Sequence, residues 1–258
     1  MLDSSISLPP GRISHGRLRS RNSANGNLGL PEVILGEIWQ SHHLVAPWGA
    51  GVVVPDAGSG WNLRDTPRNV FSIVFAALSL VLLSPLFLLI VAAIKLDSRG
   101  PGLFKQERYG RGGKTFLVYK FRTMKVTESG SDAVQCVSGD PRITRLGSIL
   151  RKMSIDELPQ LLNVIRGEMN LVGPRPHPMV LDGQFAPWIR NYMQRYSVTP
   201  GLTGLAQIRG LRGPTETVDK MAARVAADLE YVGHRSLLYD LGILMKTIPA
   251  LLMNRKVF

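Results

Sequence analysis

Apolar and polar positions divide this chain into unequal stretches. Residues 1 to about 65 hold only brief apolar runs, Val33-Ile34-Leu35 and Val52-Val53-Val54, among Gly, Ser, Asn and Pro. Such a stretch buries too little to offset the entropy of ordering, so residues 1–65 read as a disordered arm, made basic by Arg12, Arg17, Arg19 and Arg21. From Val70 to Ile94 the pattern turns continuously apolar, V-F-S-I-V-F-A-A-L-S-L-V-L-L-S-P-L-F-L-L-I-V-A-A-I, with no charge. The run exceeds the ~20 residues that cross a bilayer, and apolar character on both faces throughout argues against the alternative, a buried helix of a soluble protein. Ser84-Pro85 lies past its middle. Proline supplies no backbone donor to the Val81 carbonyl, and the Ser84 hydroxyl is placed to help satisfy it. Basic residues flank both ends, Arg64 and Arg68 before and Lys95, Arg99 and Lys105 after, and the positive-inside tendency keeps both ends cytoplasmic. The expectation is a re-entrant membrane helix over 66–96 that enters, breaks at Ser84-Pro85 and returns.

Beyond it the pattern shortens. Asp97 to Gly102 is turn chemistry, Leu103–Tyr109 and Thr115–Met124 read as paired strands, and Gly110-Arg111-Gly112-Gly113 is the turn between them. Gly113-Lys114-Thr115 imitates the end of a phosphate-binding P-loop, but position 108 is Arg where that loop needs Gly, so it reads as a turn. Lys120 and Arg122 share one strand face; as isolated charges they would be solvated, and near a phosphorylated substrate they would be ligands. Residues 125–142 are a polar loop. Leu146, Leu150 and Met153 recur at helical spacing over Thr144–Met153. An aromatic-bearing helix is expected around Trp188–Tyr196. Thr199 to Gly204 forms a tight turn that either connects elements or offers backbone N–H groups to a phosphate. Thr217–Val232 is amphipathic, with Val218, Met221, Val225 and Leu229 inward. Leu237–Met253 is apolar but interrupted by Asp240, Lys246 and Pro249, which suits the membrane interface or the core. The fold class expected is helix-rich α+β: a monotopic membrane protein with a small cytoplasmic catalytic domain over 97–258 that contains a β-hairpin.

The chemistry concentrates between Leu150 and Pro178, L-R-K-M-S-I-D-E-L-P-Q-L-L-N-V-I-R-G-E-M-N-L-V-G-P-R-P-H-P. Asp156 and Glu157 are adjacent carboxylates that could hold a divalent cation or divide nucleophile and metal-ligand work. Arg175, held between Pro174 and Pro176, suits bidentate recognition of phosphate. A bland reading competes: Ser154-x-x-Glu157 matches a helix capping box. Pro159 sits badly five positions after such a cap, and a helix beginning at Pro159 would leave the acids in the corner before it. The spacing does not choose between these.

Charge then narrows the partner. Of 258 residues, 31 are Lys or Arg and 19 are Asp or Glu, a net charge of +12, which calls for an anionic partner. Hydrophobic residues make up 45%, more than a nucleic-acid-binding domain needs, and no nucleic-acid recognition motif is present. The lone Cys136 excludes an intrachain disulfide and suits a reducing, cytosol-facing location. The N-terminus lacks the apolar core of a cleavable secretory signal.

From about Pro67 onward the chain resembles the bacterial sugar transferase family, the monotopic polyprenyl-phosphate phosphoglycosyl transferases. The blocks that carry the resemblance are I-K-L-D-S-R-G-P-G-L-F-K-Q-E-R-Y-G, V-Y-K-F-R-T-M, D-P-R-I-T-R-L-G, the Leu150–Pro176 stretch and P-G-L-T-G-L-A-Q. The tail L-R-G-P-T-E-T-V-D-K-M most resembles members that load glucose 1-phosphate, with galactose as the other candidate. The resemblance implies transfer of a hexose 1-phosphate from a UDP-sugar to polyprenyl (undecaprenyl) phosphate, releasing UMP, as the first membrane step of exopolysaccharide or other glycoconjugate assembly. By the same resemblance Asp156 is the nucleophile of a phosphosugar-aspartate intermediate and Glu157 binds Mg2+. Arg151, Arg175 and Lys120 hold phosphates, and Ser84-Pro85 is the membrane-helix break. The partners implied are the UDP-sugar, polyprenyl phosphate and the lipid bilayer, with a homodimer left open and no nucleic acid. The implied location is the bacterial inner (cytoplasmic) membrane, catalytic domain facing the cytoplasm. Ser72 departs from the family, which often has Asp there, as do Ser197 and Thr199 before Pro200-Gly201. The alternative is a membrane-attached scaffold or regulator that keeps the fold without turnover.

Overall fold

The computed structural model describes residues 65–125, 140–213, 215 and 217–253. The basic arm up to residue 64, Cys136 and residues 126–139 of the expected polar loop lie outside them.

Helix α1, Thr66–Asp97, has proline in its first turn, where a missing N–H costs nothing. Its 32 residues make it about 48 Å long at a rise of ~1.5 Å per residue. Among the described residues it is the helix long and apolar enough to cross a membrane. The helical hydrogen bonding runs through Pro85, so the interruption expected at Ser84-Pro85 is not a gap in the helix. The compensation is present: the Ser84 hydroxyl donates to the Val81 carbonyl at 2.8 Å. One such side-chain bond replaces the single backbone bond that proline removes, and the helix continues.

Strands β1, Leu103–Tyr109, and β2, Thr115–Phe121, pair antiparallel, with Phe104 opposite Lys120 and Tyr109 opposite Thr115. The turn between them places Gly112 and Gly113 at positive φ, 65° and 73°, which glycine adopts without a Cβ penalty. Helix α2, Arg145–Lys152, is capped by Thr144, whose hydroxyl accepts from the Gly147 amide at 2.9 Å. A 3-10 turn, Ile155–Gln160, leads into the short α3, Leu161–Ile165. Strand β3, Asn170–Val172, pairs in parallel with β4, Gly201–Thr203.

Between β3 and β4 lie α4, Met179–Phe185, and a 3-10 turn, Tyr192–Ser197. The single helix expected around Trp188–Tyr196 is therefore corrected to a helix ending at Phe185 and a separate turn that opens at Asn191 in the left-handed region, φ 61°. The expected turn over Thr199–Gly204 contains β4 instead. Its Gly201 amide donates to the Pro174 carbonyl at 2.9 Å, so it is not free to cradle a phosphate. Close backbone approach explains the glycines: a Cβ on Gly201 would lie 2.0 Å from the Gly173 nitrogen, and one on Gly204 2.2 Å from its carbonyl oxygen.

The chain closes with α5, Leu205–Ile208, α6, Val218–His234, and α7, Leu237–Met253. Met221 and Val225 are buried in α6, as its spacing predicts. Helix α1 packs on this unit at both ends. Near its start Arg68 is buried and donates to Asp65 (2.9 Å), to Asp240 of α7 (2.7 Å) and to the Tyr231 hydroxyl of α6. The Ser72 hydroxyl accepts from the Leu171 amide at 3.3 Å, so this departure from the family pattern is a packing contact with β3. Near its end Ile90 and Ile94 pack with Phe121 and Leu150. Each such burial is worth ~1.5–3 kcal/mol, so a charge at any of the four would open the joint. Arg122 donates to the carbonyls of Ser98 (2.6 Å), Arg99 (2.8 Å) and Ile94 (3.3 Å). It closes the C-terminal end of α1, which corrects its reading as a phosphate ligand. Between the two joints Val74, Leu78, Val81, Leu82, Leu88 and Leu89 are each more than half exposed, an apolar face suited to lipid.

Candidate active site

The carboxylate pair sits in the 3-10 turn Ile155–Gln160, and neither local reading of the sequence holds there. Ser154 is in the left-handed region, φ 56°, and makes no side-chain cap, so the capping box is not formed. Pro159 lies inside the turn, and α3 starts only at Leu161. Freed from capping, Glu157 turns toward the hairpin and the proline-flanked arginine. Lys120 Nζ donates to Oε1 at 2.6 Å, Arg175 Nη1 donates to Oε2 at 2.9 Å, and Arg175 Nη2 reaches Oε1. The structure thus brings together Lys120, Glu157 and Arg175, which are distant in sequence.

The two neighbouring acids are held in opposite states. Burial alone would raise the Glu157 carboxyl, but Arg175 and then Lys120 outweigh it and hold the group well below the usual range. Asp156, 8% exposed, is pushed up to about 6 by burial and then by the Glu157 charge, against the pull of Lys120, Arg151 and Arg175. Arg151 is therefore close enough to act on Asp156, while its Nε donates to the Thr123 hydroxyl at 2.8 Å. One carboxylate is fixed and ionised; the other lies unfixed beside it near neutrality. Environments that separate two acids in this way mark divided roles.

Several residues of the site were invisible in the linear pattern. Arg195, fully buried, donates to the Arg175 carbonyl at 2.6 Å, pairs with Asp228 at 2.6 Å and meets His177 Nδ1 at 2.5 Å. A guanidinium can only donate, so His177 accepts at Nδ1 and carries its proton on Nε2. Burial and then Arg195 drive the His177 pKa well below its ordinary value, keeping it neutral. Asp182 accepts from the Tyr192 and Tyr196 hydroxyls, each at 2.7 Å. Arg108 of β1 donates to the Pro176 carbonyl at 3.2 Å. Arg195 and Arg108 thereby hold successive carbonyls of the turn that presents Arg175. Strand alternation carried a signal for Arg108: it shares a hairpin face with Phe104, whose cross-strand partner is Lys120.

No group of three or more His, Cys, Asp or Glu side chains able to hold a metal exists among the described residues. Asp156 and Glu157 nonetheless offer hard oxygen donors, and Glu157 Oε2 accepts from Arg175 Nη1 alone, leaving a lone pair. One or two carboxylates completed by substrate phosphate oxygens is the donor set that suits Mg2+.

The sequence pattern of bacterial sugar transferases matches residues 63–254, which covers most of the chain and all of the site just described. The chain belongs to the bacterial sugar transferase family. Among its family relatives, a Caulobacter vibrioides protein named UDP-glucose:undecaprenyl-phosphate glucose-1-phosphate transferase is 54% identical over 194 residues, 75% of this chain and 73% of that protein. An Escherichia coli K12 protein of the same name is 46% identical over 204 residues, 76% of this chain and 44% of the longer relative. The exopolysaccharide production protein PSS of Rhizobium leguminosarum bv. phaseoli is 45% identical over 195 residues, 74% of this chain and 98% of that protein. In this sugar transferase the Asp156-Glu157 pair, Lys120 and Arg175 all fall within the matched span.

Proposed function

We propose that the chain transfers glucose 1-phosphate from UDP-glucose to polyprenyl phosphate, giving polyprenyl-diphosphate glucose and UMP. The observation that carries this reading is the split carboxylate pair under phosphate-binding cations, in a chain similar to relatives named for that reaction. An Asp156 Oδ attacks the sugar-linked phosphorus of the donor; the bond from that phosphorus to the UMP oxygen breaks, and UMP leaves with the electron pair. Glucose phosphate is then held on Asp156 as an acyl phosphate. An oxygen of polyprenyl phosphate attacks the same phosphorus and displaces the Asp156 carboxylate, which is restored. Lys120, Arg151 and Arg175 hold and neutralise the phosphate oxygens through both displacements. Magnesium, bound by Glu157 and substrate oxygens, would offset charge on the diphosphate. Covalent catalysis of this kind replaces one transfer between two anions with two smaller ones.

Purified protein in lipid nanodiscs, given UDP-glucose, Mg2+ and undecaprenyl phosphate, is expected to release UMP only when the lipid phosphate is present. UDP-glucose should be used fastest in a panel that includes UDP-galactose. Lipid phosphate binding without UMP release from any UDP-sugar would favour the scaffold alternative.

The topology we propose is re-entrant, at the bacterial inner membrane, with the catalytic unit cytoplasmic. It is supported by the packing of both ends of α1 on one unit: Arg68 with Asp240 and Tyr231 at one end, Ile94 with Phe121 and Leu150 at the other. A bilayer core of ~30 Å between those joints would divide the unit itself. Single cysteines at Ser5 and Ser129, in a Cys136→Ser background, test it with a membrane-impermeant thiol reagent on intact cells. Neither is expected to label; labelling of Ser5 with protection of Ser129 would mean a spanning helix.

A further inference from the structure

Most buried arginines in this molecule have acidic or multiple carbonyl partners. Arg68 has Asp65 and Asp240, Arg195 has Asp228, and Arg122 closes a helix end. Three arginines beside the candidate active site, Arg108 buried and Arg212 and Arg224 half-buried, do not. Arg108, 9% exposed, meets only neutral acceptors, the Gln106 side-chain oxygen at 2.5 Å and the Pro176 carbonyl, and its Nε is buried without a partner. Arg224 of α6 donates to the Gly213 carbonyl at 2.6 Å and to the Thr215 hydroxyl, both neutral. Those bonds tie down the loop that carries Arg212, whose Nε is also buried with no partner among the described residues.

Contacts place them beside Arg175. Arg108 holds the next carbonyl, that of Pro176. Arg224 lies one helical turn before Asp228, the partner of the Arg195 that holds the Arg175 carbonyl, and Arg224 itself holds the Gly213 carbonyl next to Arg212. Burial and then the Arg175 charge accordingly lower the pKa of all three, Arg108 to about 10. Asp182 and Glu157 act on Arg108, Glu157 on Arg212 and Asp228 on Arg224, but each acid is already engaged. Asp182 is held by the Tyr192 and Tyr196 hydroxyls, Glu157 by Arg175 and Lys120, and Asp228 by Arg195. Desolvated cations whose neighbouring acids are already engaged are costly and persist where an anion completes them. A nucleoside diphosphate sugar brings two phosphates. Lys120, Arg151 and Arg175 surround the acid pair and suit the phosphate under attack, leaving the other without donors. Guanidinium forks suit a phosphate monoester, which takes two parallel hydrogen bonds from each.

We infer that Arg108, Arg212 and Arg224 form a second anion subsite that seats the phosphate of the departing nucleoside monophosphate, a role that rests on the transferase reading above. The subsite holds UMP by its phosphate and not by its base. It also favours diphosphate donors, because both ends of the bond that breaks are then held.

Calorimetric titration of the full chain in nanodiscs tests this, with UMP, uridine and farnesyl phosphate as probes. The chain carries either Arg212 or the change Arg212→Gln, a position on a partly exposed loop. UMP affinity should fall about tenfold, the effect of losing one charge-assisted contact. Uridine and farnesyl phosphate should stay within about twofold. Because Arg212 is uncompensated without ligand, the change should leave the ligand-free melting temperature equal or higher, whereas loss of a structural arginine would lower it. Arg212→Lys should recover part of the UMP affinity. UMP binding unchanged in Arg212→Gln overturns the subsite, as does a loss shared by uridine. A loss for farnesyl phosphate alone overturns the assignment to the nucleotide and gives these cations to the lipid acceptor. If the unaltered chain neither binds UMP nor releases it from UDP-glucose, the transferase reading fails; if it does both, a failure at Arg212 is the subsite's own.

Discussion

Replacing Asp156 with Asn is expected to abolish lipid-dependent UMP release, with a loss of at least about 10^3-fold, because the neighbouring Glu157 carboxylate is held by Lys120 and Arg175 and cannot take over as nucleophile. Incubation with UDP-glucose labelled in the sugar-linked phosphate, without lipid acceptor, should leave label on the parent chain and none on the variant. Undiminished label on Asp156→Asn would sink the nucleophile assignment. The same change should make the protein more stable near neutral pH. In the folded chain the Asp156 carboxyl is raised from 3.8 to about 6, so its ionised form is held at a cost above about pH 6. Linkage sets that cost at no more than about 3 kcal/mol. It shrinks as pH falls through 6 and is gone below 3.8, and the stability advantage of the Asn variant should shrink with it. Turnover of the parent should decline over the same descent through pH 6, since a protonated Asp156 cannot attack.

Glu157→Gln acts in the opposite sense. It leaves Lys120 and Arg175 facing a neutral amide, so both stability and turnover should fall. We expect about 1–3 kcal/mol of lost stability, less than a fully buried pair would cost because the Arg175 side chain is 36% exposed. The Glu157 contribution is fully present above its ordinary value of 4.5 and is lost as pH falls through its lower folded value. Thermal unfolding followed downward from pH 7 should therefore separate parent and variant fully at neutral pH, with the gap starting to narrow only below 4.5. If Glu157 also holds magnesium, turnover should fall about 10^2-fold and the Mg2+ concentration for half-maximal rate should rise. Retained turnover with an unchanged Mg2+ requirement would remove Glu157 from the metal site.

The parts of the site legible in the sequence were those whose residue type and local rigidity point to chemistry: the adjacent acids, and Arg175 between two prolines. Lys120 was legible because strand alternation put it on a face. Arg122 shares that face, and alternation could not tell which of the two reaches the acids. The register of the hairpin against α1 decided it by placing Arg122 at the helix end. The Ser154-to-Glu157 spacing suggested a cap because local patterns describe only neighbours, and the partners that claim Glu157 come from 37 and 18 residues away. Arg108, Arg195 and Arg212 share that difficulty: each looks like one more surface cation until contacts distant in sequence, such as the bridge from Arg108 to Pro178 and the bond from Arg195 to the Arg175 carbonyl, form around the site. The limits of α6 and α7 were clear, since long periodic helices carry their own boundary signals. The segment before β4 was not, because 3-10 turns have no such period.

The joints at the two ends of α1 also bear on how such an enzyme could exist without a membrane. Ala76, Ile90 and Ile94 belong to the buried clusters of the catalytic unit, and Arg68 completes a polar network with Asp240 and Tyr231. Cutting the chain after the helix would open those clusters to water and strand Asp240 without its arginine. The helix is thus no detachable tether for a globular enzyme that could work in free solution. The exposed apolar face and the core contacts are two sides of one helix, so removing it would dismantle the catalytic core along with the apolar face.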